Sequence, residues 1–67
     1  MEKKQIKDVK TGEFFRLIAE ETAPVWVKTG STTKKGKKIK YNCHEYENMK
    51  HCNAFGFDKV VYVGFTY

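Results

Sequence analysis

The chain has 67 residues, 40% of them hydrophobic and 15% aromatic, with thirteen Lys and Arg against eight Asp and Glu, a formal net charge of +5. That length is one domain, and the apolar content is too high for a disordered chain. A chain this short buries only about 60% of the surface its unfolded form exposes, so a core built from large side chains is expected.

Residues 1–10 form a charged N-terminal arm in which Ile6 and Val9 stand three apart. That spacing suits either a short helical turn laid on the body or a tethered extended segment. Residues 11–67 form the β domain. Gly12 opens a strand over 13–19, with Phe15 and Leu17 inward and Arg16 on the wet face. Residues 20–23 are a turn, and Pro24 marks the next strand entry. Residues 25–28 are the second strand, with Val25 and Val27 inward and Trp26 on the other face.

Residues 29–38 read as a hairpin loop, because Gly30, Ser31, Thr32, Thr33 and Gly36 are turn formers and lysines surround Gly36. The third strand spans 39–46, with Ile39, Tyr41 and Cys43 on one face and Lys40, Asn42 and His44 on the other. Residues 47–58 are irregular, with room for a helical turn at 48–52 or a fifth short strand. The last strand spans 59–67, where Val61, Val63 and Phe65 alternate with Val60, Tyr62 and Thr66, and Gly64 suits a bend.

Four to five antiparallel strands in so short a chain would leave bare edges unless they close. The expected architecture is therefore all-β: a small SH3-like barrel with a short N-terminal arm. An OB-like barrel comes second because it usually needs a longer chain. The segments Lys10-Thr11-Gly12-Glu13-Phe14-Phe15, Val25-Trp26-Val27-Lys28, Lys40-Tyr41-Asn42-Cys43 and Val60-Val61-Tyr62-Val63-Gly64-Phe65 resemble uncharacterised small SH3-like barrel proteins of bacteriophages and bacterial genomes. The resemblance implies a compact barrel and a phage origin, and it assigns no functional residue.

Four patterns bear on chemistry. Cys43, His44, His51 and Cys52 are zinc-ligand types, yet their spacing is unlike that of common sites. On a strand, Cys43 and His44 point to opposite faces, so no metal, cofactor or disulfide is expected. Nor do these residues make a thiol nucleophile, since activation needs spatial contact. A barrel this small offers little concavity for a small-molecule substrate, so no enzyme is expected.

Lysines are the third pattern. Every cation but Arg16 is a lysine, and Lys28, Lys34, Lys35, Lys37, Lys38 and Lys40 follow one another with no acid between them. Such a run attracts phosphate, and equally it blunts a sheet edge against aggregation. The fourth pattern is aromatic: Phe14, Trp26 and Tyr62 fall on the outer register and would stack unpaired bases if they shared a face. A small basic binding module follows, with nucleic acid held by the lysine hairpin, Trp26 and Phe14. The alternative is a protein-interaction module, an accessory or phage factor docking on an acidic host protein. Lysine without arginine favours phosphate attraction over base reading. No apolar span fits a membrane, and no secretory leader is read after Met1, so the cytoplasm is the expected compartment.

Overall fold

A computed structural model describes residues 1–65. Its strands are β1 (Glu2–Gln5), β2 (Phe14–Phe15), β3 (Trp26–Lys35), β4 (Lys38–Glu45), β5 (Cys52–Gly56) and β6 (Val60–Val63), with one 3-10 turn at Ile6–Asp8. The protein is all-β. β2, β3, β4 and β5 form a curled antiparallel half-barrel in that order, and β1 pairs with β6 in a second, two-stranded sheet. The architecture is consistent with a small SH3-like barrel.

Two backbone hydrogen bonds join the sheets. Arg16 N–H donates to the Tyr62 carbonyl at 2.9 Å, and Tyr62 N–H donates to the Arg16 carbonyl at 2.8 Å. The charged arm is part of the wall: Glu2 to Gln5 run antiparallel to Val63 to Val60. Ile6 and Val9 leave water completely or nearly so, at either end of the 3-10 turn. The fifth short strand foreseen within 47–58 is β5. The expected last strand ends early, at Val63, where Gly64 takes a φ of 79°. Its expected continuation through Thr66 and Tyr67 lies outside the described residues.

The core holds Ile6, Val9, Phe15, Trp26, Cys43, Val61 and Val63, with Leu17, Tyr41 and Phe55 packed against it. Each fully buried aliphatic or aromatic side chain contributes roughly 1.5–3 kcal/mol. The Phe55 ring edge meets Trp26 at 5.4 Å and Phe15 at 6.2 Å, both at 85°. Edge-to-face pairs of this kind add about 0.5–1.5 kcal/mol each.

Three expectations change here. The strand over 13–19 shrinks to Phe14–Phe15 plus the Arg16 bridge. Arg16 is buried rather than wet: its Nε donates to the Ala23 carbonyl at 3.2 Å, and its guanidinium lies 4.2 Å from the Phe65 ring centroid. The register of 26–28 is also reversed, since Trp26 pairs with Phe15 and Glu45 and is only 5% exposed while Val27 is half-buried; Val25 is buried as expected. Val-Trp-Val is apolar throughout, so Lys28 alone marks an outward face. That marker misleads because the Lys28 ammonium is satisfied inside, and a slip of one residue exchanges every side chain.

Candidate nucleic-acid interface

The hairpin is longer and more ordered than the expected loop at 29–38. Strands β3 and β4 continue to Lys35 and Lys38, and only Gly36 and Lys37 turn. Gly36 has a φ of 63° and no other residue type in the chain has positive φ among the described residues. A glycine at the first central position of a two-residue turn is the demand of a II′ hairpin, whose twist matches its strands.

Below the tip the ladder is interrupted. Lys28 pairs with Cys43 and Thr32 with Tyr41, so Thr29, Gly30 and Ser31 face Asn42 alone. Asn42 holds this bulge. Its carbonyl accepts from Thr29 Oγ1 at 2.8 Å, its Oδ1 accepts from Thr33 Oγ1 at 3.0 Å, and its Nδ2 donates to Ser31 Oγ at 3.0 Å. Above the bulge, residues 32–40 are all exposed; below it, Trp26, Lys28 and Cys43 are buried.

The pairs Lys35 with Lys38 and Thr33 with Lys40 place three lysines on the outer face of the hairpin. Lys35, Lys38 and Lys40 line an open groove of about 600 Å³ with Thr33 and Ala54. Lys34 lies on the opposite face beside Ile39, and Lys37 sits in the turn. No carboxylate among the described residues stands within 4.0 Å of these five ammonium groups. Like charges directly opposite on a ladder repel, so the Lys35–Lys38 pair costs stability until an anion lies between them.

Lys28 stands apart from the other five. It is 7% exposed. Its Nζ donates to the Ile6 carbonyl at 3.0 Å and to the Val9 carbonyl, and lies 4.2 Å from the Tyr41 ring centroid. An ammonium with those partners is a structural clamp on the N-terminal turn and is not presented to a polyanion.

Nor do the aromatics expected to stack share a face. Trp26 faces the core, 5.2 Å from the His51 ring. Phe14, opposite Val27, faces outward and meets Tyr46 at 5.0 Å and 63°. Tyr62 belongs to the other sheet, opposite Lys3. Strand alternation separates Phe14 from Trp26 because their neighbours in register, Val27 and Phe15, lie on opposite faces.

Cys43 and His44 likewise diverge. Cys43 is buried, and burial pushes its thiol up from the ordinary 9.0 to about 11, against a smaller lowering by the Lys28 charge. Cys52 is exposed and pairs with His44 across β4 and β5. His51 Nδ1 stands 3.0 Å from Glu45 Oε1. No three of the described His, Cys, Asp or Glu residues converge on one metal position. Three of the eight acids cluster at the other end of the hairpin. Glu21, Glu45 and Glu47 line a hollow around Arg16, seven residues along β4 from Lys38 and so about 23 Å away.

Sequence reasoning missed two features that matter here. One is Phe57, an aromatic 47% exposed beside Lys38 and Lys40. The other is Asn42 as holder of the bulge. Neither carries a periodic signal: Phe57 lies in a turn, and the bulge is set by pairing across strands.

Comparison with protein-family models, curated proteins and solved structures finds no match to this chain. No helix among the described residues is long and apolar enough to cross a membrane.

Proposed function

We propose that this domain binds nucleic acid through the phosphate backbone, using the projecting β3–β4 hairpin. The observation that carries this reading is the set of five exposed ammonium groups, Lys34, Lys35, Lys37, Lys38 and Lys40, with no described carboxylate within ion-pair distance. Lys35, Lys38 and Lys40 lie along one groove and would track successive phosphates, while Thr33 offers a hydroxyl beside them. Lysines act as point charges, so attraction independent of sequence is the fitting mode. Trp26 and Lys28 take no part because both are buried.

The test is fluorescence anisotropy with short labelled single strands and duplexes across a salt series. Binding should weaken with salt, with a log–log slope of about −0.9 for each duplex phosphate neutralised. The triple reversal Lys35→Glu, Lys38→Glu, Lys40→Glu should abolish it while the circular dichroism spectrum stays unchanged. No binding at low salt, or binding indifferent to the reversal, defeats the proposal. A nuclease-resistant partner released by the same reversal would put an acidic protein surface in place of nucleic acid.

A further inference from the structure

Resting on that reading, we propose that the notch between Ile39 and Phe57 takes an unpaired nucleobase, which makes single-stranded nucleic acid the preferred ligand. The notch exists because β4 outruns its neighbour. The last β4–β5 pair is Lys40 with Gly56, so Lys38 and Ile39 extend past the end of β5. The chain turns at Phe57 and Asp58 beside this unpaired stretch, and Lys59 N–H closes the turn on the Gly56 carbonyl at 2.9 Å. Lys38, Ile39, Lys40, Gly56, Phe57 and Asp58 line the resulting hollow.

Two properties of this notch bear on what it could hold. Ile39 and Phe57 are large apolar side chains, 40% and 47% exposed. Phe57 has no ring partner among the described residues, whereas Phe14 and Tyr46 meet each other and Trp26 and Phe55 are in the body. An exposed ring without a ring partner offers a free π-face on which a planar base can stack.

Lys38 and Lys40 border both the notch and the outer groove. A strand whose phosphates ride those two ammonium groups therefore carries its bases past Phe57. A π-face is common to every base, so stacking there is tolerant of sequence, as the lysine contacts are. A base paired within a duplex has no free face to offer. Asp58 is the opposing charge in the notch; it would disfavour a phosphate there and leaves the space to the base.

The experiment compares a single strand, the corresponding duplex and an abasic strand of equal charge, all by anisotropy at low salt. The chain should bind the single strand most tightly. Phe57→Ala should weaken single-strand binding about five- to 150-fold, the range of one stacked base. Its salt slope should not change, and neither should its affinity for duplex or abasic strand. Phe57→Tyr should restore binding, and Asp58→Asn should not weaken it. Should wild-type chain bind the abasic strand as well as the normal one, or Phe57→Ala bind the single strand like wild type, the notch proposal is overturned. If the triple lysine reversal still abolishes binding in that case, phosphate recognition survives alone. Failure of every nucleic acid to bind overturns both.

Discussion

The same side chain meets opposite fates at the two ends of β3. Lys28, at the base, is enclosed by the Ile6 and Val9 carbonyls and the Tyr41 ring; Lys35, at the tip, faces Lys38 in open solvent. The bulge at Thr29, Gly30 and Ser31 divides them. Below it, a lysine adds to the cohesion of the body. Above it, lysines add to a field and weaken their own surroundings slightly. Net charge therefore says little about how much positive potential a domain presents; the position of each ammonium relative to the barrel wall decides it.

That contrast is open to attack, first where the effect should be largest. Lys28→Glu places a carboxylate against two carbonyl oxygens and should cost about 3–5 kcal/mol, as for a buried charge without compensation. Native stabilities are about 5–15 kcal/mol, so much of the folded population should be lost in urea titration. If Lys28→Glu unfolds at the wild-type midpoint, the division drawn at the bulge is wrong.

The neighbour of Lys28 in register provides a pH test. The Cys43 thiol ionises at the ordinary 9.0 when unfolded, and burial pushes it up to about 11 when folded. Between those values the unfolded chain releases a proton that the folded chain keeps, so stability should fall as pH rises through that window. Cys43→Ala should flatten that fall relative to wild type. Exposed Cys52 should be alkylated in the native state, and Cys43 only on unfolding.

At the boundary itself, Asn42→Ala removes two side-chain hydrogen bonds, to Thr33 and Ser31. The expected loss is about 1 kcal/mol, concentrated in faster amide exchange of the hairpin and not of the core. Smallest of all, Lys35→Glu should raise stability by less than about 0.5 kcal/mol, because it relieves repulsion from Lys38. A single reversal as destabilising as Lys28→Glu would mean that the tip is built into the body.

The sequence makes the all-β class legible, together with most strands, through alternation in 39–46 and the β-branched run at Val60 to Val63. It also exposes the lysine cluster, because five of the six cations do project. What it conceals is wherever alternation lacks contrast or a polar group is satisfied inside. Val25, Trp26 and Val27 are all apolar, and Lys28 is a cation whose burial depends on carbonyls some twenty residues away in sequence. Arg16 hides for the same reason, its partners Ala23 and Phe65 being supplied by tertiary folding. The arm at 1–10 pairs with β6, a contact between chain ends that local pattern does not encode. Phe57 escapes notice because its neighbours on β4 become neighbours only through the β4–β5 register.

Between the pairs Lys28–Cys43 and Thr32–Tyr41, β3 spends three residues where β4 spends one, an excess of two. An even excess keeps inward and outward positions in phase along the strand. Deleting one residue from 29–31 would put them out of phase, rotating Thr33 and Lys35 inward and turning Thr32 and Lys34 out. Removing two would return the ladder to phase, at the loss of the Asn42 contacts. Length variants of this short stretch should therefore alternate between disabled and tolerated, odd against even, while the barrel beneath stays intact.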